Sequence, residues 1–471
     1  MAGCEVEEPL LSTICDQDGI KNEENSQTSF SGDVDEIVPV NGIKDLVREF
    51  YTESKKQWVL AGPISFTYFS QYCIMATTLV VVGHIGTIQL AAVSVENTVI
   101  ADFSYSVLLG MSSALETFCG QAFGANQLDM LGIQMQRSLL ILNIMALAML
   151  SLFIFATPIL KLLGQTASIS TEAGKFSLWM IPQQFAYAMM IPTAKFLQTQ
   201  SRVMAISVIA AAALGLHVFL TWFFMLKLGW GLAGAAMTLN VAWWFIAIAQ
   251  LLYIIAGNCG EAWSGFSWKT FEKLWVFLKI SIASAVMISS EMWYITVLTL
   301  MIGNLENAEV SVDASSICVN ILGLTSMVGL GNNAATSVRV SNELGSEHPG
   351  RAKCSEVKLL VEELTPLLGL CILFTNVQYT LLGVAVGVGW QVPVACINIA
   401  CYFLLGIPSG VLMAYKFKMD IKGLWYGMLL GLCLQSCILL WKICVADWNK
   451  EAYFAKERLK EWRGITDAGG T

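Results

Sequence analysis

From Trp58 to Ala446 apolar residues dominate in long runs, broken by short polar stretches rather than alternating with them. Each run approaches the ~20 residues that carry a helix across a ~30 Å hydrocarbon layer. The runs predict eight spans, near 58–83, 89–118, 135–157, 176–195, 203–226, 231–256, 275–302 and 311–337. A charged stretch follows, and then three more spans near 366–388, 392–415 and 423–446. Alternating segments of ~10 residues, the mark of a membrane barrel, do not occur, so the fold class is an all-α polytopic membrane protein.

The pattern also repeats. "IGTIQLAAVSVEN" (Ile85 to Asn97) aligns with "IGNLENAEVSVDA" (Ile302 to Ala314) at an offset of 217, in the same direction, so the chain holds two parallel halves. Between matching glycines the halves differ in length: 107 positions separate Gly124 from Gly231 but 78 separate Gly345 from Gly423, leaving the second half 29 residues shorter. That is one helix with its loop. The shortfall falls at "RAKCSEVKLLVEELTPLL", which carries Arg351, Lys353, Glu356, Lys358, Glu362 and Glu363. A central charge costs a few kcal/mol in a span, so this segment is not expected to cross. The expected organisation is a disordered acidic leader (1–50), an N-terminal six-helix bundle (51–256), a cytosolic linker (257–273), a C-terminal bundle of five spans with one missing near 350–363 (274–446), and a polar tail (447–471).

Composition sharpens the class. With 56% hydrophobic and 13% charged residues in 471, a soluble globular protein is excluded. The net charge of −8 comes largely from the leader and says little about partners. The leader has no basic start and no apolar core before Lys44, so it is no cleavable signal. Its "EEPLL" (Glu7 to Leu11) matches an acidic dileucine sorting pattern. The thirteen cysteines include no C-x2-C pair and read as packing residues, and three scattered histidines argue against a metal site. No cofactor, nucleotide or nucleophile motif occurs, so no enzyme activity and no nucleic-acid binding is expected. Basic residues cluster at the N-terminus and the even-numbered boundaries (Lys55, Lys56, Arg137, Arg202, Lys269, Arg339), which places the N-terminus in the cytosol. The same rule puts both the end of the eighth span and the tail in the cytosol, and three spans cannot join two points on one side. Either the tail lies outside, one segment does not cross, or the chain lacks a piece.

At "ALETFCGQAFGA" (Ala114 to Ala125), "FLQTQS" (Phe196 to Ser201), "NAATSVRVSNELGSEHPGRAK" (Asn333 to Lys353) and "GVAVGVGWQ" (Gly383 to Gln391) the sequence resembles the plant branch of the multidrug and toxic compound extrusion family. The resemblance implies two six-helix bundles that rock between inward-open and outward-open forms, and proton-driven antiport of organic solutes, xenobiotics or flavonoid-like metabolites. Against the twelve helices of that family, about eleven are expected here. Small solutes and protons are the expected partners within a lipid bilayer, with no assignment of oligomeric state. The dileucine pattern and the resemblance of "AAVSVENTVIA" (Ala91 to Ala101) point to the vacuolar membrane before the plasma membrane. An uncoupled anion conduit of the same fold, or a truncated and transport-incompetent variant, stand as alternatives.

The chemistry centres on Glu291, the single charged residue of "ASAVMISSEMWYITVLTLMIG". An ionised carboxylate at mid-membrane is costly unless it is paired, hydrated or protonated, which suits a group whose proton depends on which side wets it. Proton and substrate would then compete for one site. The resemblance implies the same role, since Ser290-Glu291-Met292-Trp293 matches the Glu and Trp of an LExW pattern in the seventh helix, although the acid common five positions on is Thr296 here. The first-half counterpart of Glu291 is Ile74, so coupling is expected in the C-terminal bundle alone. Asn97, Trp293, Tyr294, Asn320 and Gln378 are expected to line the cavity. Glu96 and Asp313 lie only about a turn into their spans and are expected to stay wet, favoured by the helix dipole.

Overall fold

A computed structural model of the chain describes residues 43–272, 274–302, 308–346, 370–417 and 420–463, with side chains except at 43–54, 295–296, 298–322, 325, 370–376, 420–422, 425 and 459–463. With no water in a bilayer core, a spanning backbone must bond to itself, and every long described element is helical. In chain order these are α1 (Ile43–Gly83), α2 (Thr87–Gly124), α3 (Leu128–Ile154), α4 (Ala167–Thr199), α5 (Val203–Lys227), α6 (Gly231–Asn258), α7 (Leu274–Ile302), α8 (Ala308–Gly345), α9 (Leu370–Val388), α10 (Gln391–Lys416), α11 (Asp420–Val445) and α12 (Trp448–Arg463). Eight of them contain a stretch long and apolar enough to cross a membrane; α4, α8 and α9 pack alongside these. Several helices outrun their apolar runs. α1 begins at Ile43 and α8 continues to Gly345, because a helix keeps bonding itself after it leaves the lipid, whereas hydropathy marks only the lipid-covered part.

The halves meet along two antiparallel pairs. On α2 and α7, Phe103 packs at a tilt against Trp293 with ring centroids 5.2 Å apart, Ser106 faces Ser289 and Gly110 lies against Ala285. On α1 and α8, Gln57 donates to the Thr336 hydroxyl at 3.0 Å and Gly331 lies against Ser65. The linker is no free tether. Arg137 donates to the Lys269 carbonyl at 2.8 Å, and Gln136 donates to the Gly265 carbonyl at 2.8 Å, fixing the linker to α3.

The structure removes the topological conflict that the basic residues posed. Asn333 donates to the Tyr379 carbonyl at 2.7 Å, Gly383 lies against the Asn333 carbonyl and Gly387 against that of Ser337, so numbers rise together and α8 runs parallel to α9. α2 agrees, with Thr117 donating to the Val386 carbonyl and Gln121 to the Gly387 carbonyl. Both helices therefore end on the face where α2 ends, and α9 starts at the opposite one. Position 370 thus lies on the opposite face from position 346. α10 then runs outward beside α7, through Asn398 donating to the Met287 carbonyl at 2.8 Å, and α11 returns antiparallel to it. α12 thus lies on the face where α1 starts, so the described part of the tail is not on the far side. The span expected to be missing near 350–363 falls outside the described residues.

Expected as a polar tail, 448–463 is an amphipathic helix. Trp448, Ala452 and Ala455 are buried, and Arg458 donates to the Val388 carbonyl at 2.8 Å, capping the end of α9. Burial lowers the Arg458 guanidinium from its ordinary value and Glu451 acts the other way, yet an arginine remains charged at any physiological pH.

Candidate functional site

α7 carries Glu291 into the second half, where the side chain is buried, 6% exposed. Gln378 and Tyr379 of α9 lie within hydrogen-bonding reach of its carboxyl, and no basic side chain pairs with it among the described residues. Behind Gln378 runs a directed chain of hydrogen bonds. Gln378 donates to the Tyr402 hydroxyl at 2.7 Å, Tyr402 donates to Gln435, Gln435 donates to the Asn398 side chain at 2.7 Å, and Asn398 donates to the Met287 carbonyl one turn before Glu291. Four helices, α7, α9, α10 and α11, are thereby joined through one polar thread, and hydrogen bonds made in the low-dielectric interior are stronger than in water. One acceptor on it is open: Gln378 Oε1 is buried without a partner.

The other expected cavity residues scatter. Trp293 is exposed and packs at a tilt against Phe103 across the two halves. Tyr294, the next residue, packs inward: it is 1% exposed, stacks on Tyr402 at 4.7 Å and donates to the Gly427 carbonyl at 3.2 Å, filling the core of the second half. Gln378 is fully buried in the thread. Asn97 lies in the first half, buried, with neither amide atom bonded. The side chains of Asn320, Asp313 and Thr296 lie outside the described residues.

Glu96 departs from its expectation. It lies nine residues into α2, has no exposed surface, and neither carboxyl oxygen has a hydrogen-bond partner, so it is not a wet acid at a helix start. The helix widens to π geometry over Glu96–Ala101, a distortion frequent at functional positions. Two further features were not singled out in the sequence. Asp102 follows the wide turn and is exposed in the middle of α2. Lys195 of α4 pairs with Glu116 of α2 at 2.6 Å, both buried. The signal for both was available: "ENTVIADFSYSVLLGMSSALE" puts three acids in one apolar span, and Lys195 is a lone cation inside another.

The fold and this site can be compared with known proteins. A family model described as MatE matches residues 63–223 and 283–361. Protein DETOXIFICATION 31 of Arabidopsis thaliana is 51% identical over 481 aligned residues, covering 95% of this chain and 92% of that protein. Protein DETOXIFICATION 29 of the same plant is 52% identical over 476, covering 94% and 95%. Both alignments are longer than the 471 residues of this chain, so the relatives carry residues that it lacks. The crystal structure of the eukaryotic MATE transporter AtDTX14 superposes with a TM-score of 0.83 at 31% identity, over 87% of this chain and 99% of that one. A MATE structure in the bent conformation shares the fold at a TM-score of 0.72 and 14% identity. By sequence over nearly its whole length and by fold, this chain belongs to the multidrug and toxic compound extrusion family: it is an integral membrane transporter, and not an enzyme.

Proposed function

We propose that the protein is a proton-coupled antiporter that moves small organic solutes out of the cytosol, with Glu291 as the coupling group. The observation that carries this reading is a carboxyl inside the bundle, held by Gln378 and Tyr379 and lacking a basic partner. Such a group is stable either as a neutral acid or as a carboxylate reached by water or a cationic solute. In its neutral form it can donate to the open Gln378 Oε1; once ionised it cannot, and the thread from Gln378 to Asn398 must readjust. Because that thread ties α7 to α9, α10 and α11, a proton gained or lost at Glu291 biases how these helices pack. Rocking of the 51–256 and 274–446 bundles about the α1–α8 and α2–α7 contacts then exchanges proton for solute. The acidic dileucine pattern supports delivery to the vacuolar membrane, where the solute would be sequestered.

Vesicles reconstituted with the full chain test this. Uptake of a fluorescent organic solute driven by a pH gradient should collapse with the gradient and fall to background in Glu291→Gln. Current without solute exchange, or normal uptake by that variant, would overturn coupling at this residue. A second reading is favoured by alignments longer than the chain: a shortened family member that does not transport. The wild-type uptake measurement decides between the two, since that reading expects none.

A further inference from the structure

The chain between α6 and α7 carries an apolar cluster that the coupling scheme leaves unused. Phe266, Trp268 and Phe271 are 64%, 78% and 49% exposed, yet their rings pack on one another, with centroids 5.4 Å, 5.8 Å and 6.5 Å apart. Three large rings clustered together and left bare mark a surface that something covers. We infer that this cluster is an interfacial anchor, seated among the phospholipids of the cytosolic leaflet, and that 263–271 is not a linker lying in water.

Depth carries the inference. The 27 residues of α3 measure ~40 Å at ~1.5 Å each, close to the full thickness of a bilayer with its headgroups. The linker lies along the flank of that helix and does not hang below its start: Gly132 abuts the Ala262 carbonyl, and Gln136 and Arg137 hold 265–270. Those positions are four to nine residues past Leu128, ~6–13 Å in along the axis. Headgroups occupy roughly the outer 5–7 Å of each leaflet, so the rings stand where headgroups give way to acyl chains. Tryptophan is favoured at that level.

Two further observations agree. The cluster is continuous with lipid-facing surface on either side in sequence, since Leu252 and Ile255 near the end of α6 and Trp275 at the start of α7 are exposed on helices apolar enough to cross. Lys279, five residues into α7 and exposed, turns its ammonium back over the Trp275 ring at 5.7 Å, the course of a lysine reaching from apolar depth toward headgroups. The loop is also held in place. Gln136 Oε1 accepts from the Ser267 amide at 3.1 Å and the Thr270 hydroxyl at 3.2 Å, and Arg137 donates to the carbonyls of Lys269 and Thr270. Rings fixed in advance lose little freedom when lipid closes around them. The anchor therefore fastens α3 of the first half to the leaflet just where the chain enters α7 of the second. It depends neither on Glu291 nor on what is transported.

Photocrosslinking of the full chain in phosphatidylcholine nanodiscs, with no partner protein present, tests this by counting lipid adducts in a mass spectrometer. Phe266→benzoylphenylalanine and Trp268→benzoylphenylalanine are compared with the same replacement at Leu252, on the exposed face of α6, and at Glu457, an exposed carboxylate on α12. The two loop positions should label at a level close to Leu252 and about tenfold above Glu457, the ratio expected when part of one large ring leaves water. Adding Trp268→Asp should cut the adduct at position 266 by about tenfold, while Trp268→Tyr, which keeps an amphipathic ring, should preserve it. All these side chains are exposed, so the variants are expected to melt like wild type, and the Trp268 probe stands if the Phe266 one does not fold. Labelling of both loop positions no higher than at Glu457 would overturn the anchor, as would an adduct at 266 indifferent to Trp268→Asp. So would crosslinking of the loop to another protein in native membranes with no lipid adduct in the nanodiscs.

Discussion

Lys195 and Glu116 show how much a single pair can hold inside this half. Both are buried, the contact is 2.6 Å, and removing one partner strands the other's charge in the interior. Lys195→Met is therefore expected to destabilise the protein by about 3–5 kcal/mol, and the double variant Lys195→Met/Glu116→Gln to recover much of that loss, as read by thermal unfolding in detergent. Glu291 has no such cation, and its neutral amide replacement should leave the melting curve nearly unchanged while abolishing pH-driven uptake. That contrast distinguishes a structural charge from a working one. Glu291 was legible in the sequence because it is the one acid of its span, a signal that needs no structure. Asp102 was not, because three acids in α2 blur one another, and only the fold shows that one is paired, one is buried without partners and one is exposed.

At the scale of elements, hydropathy located the helices well and oriented them poorly. An apolar run says that a segment crosses and is silent about the direction, so the parallel course of α8 and α9 had to come from contacts such as Asn333 to Tyr379 and Gly383 to Asn333. The same blindness made α12 read as a tail, since its apolar face is too narrow to register as a span. Where α2 and α8 end, Gly124 lies against the Asn342 carbonyl and Gly345 against that of Gln121, an approach that leaves no room for a Cβ. Gly345→Val should force this seam apart. A cysteine introduced nearby should then react with a water-soluble maleimide from the α12 face faster than in the parent, and uptake should fall. Equal labelling would show that the seam is not what closes that face.

For the whole molecule, the arrangement of helix ends makes a definite topological statement. α1 starts and α12 lies on one face, the one richer in lysine and arginine, which the positive-inside rule assigns to the cytosol. In sealed right-side-out vesicles, protease added outside should leave an epitope placed after Thr471 intact, and cut it once the membrane is opened. Cleavage in sealed vesicles would contradict the course of α10 and α11 described above.

The docking of α12 also bears on how the protein can be watched in a cell. Arg458 reaches Val388 from within α12, so a bulky fluorescent reporter joined directly to that helix would pull on the brace at the end of α9. A reporter joined to the long leader would spare that brace but could mask the dileucine pattern. Localisation and uptake are best read from different labelled versions.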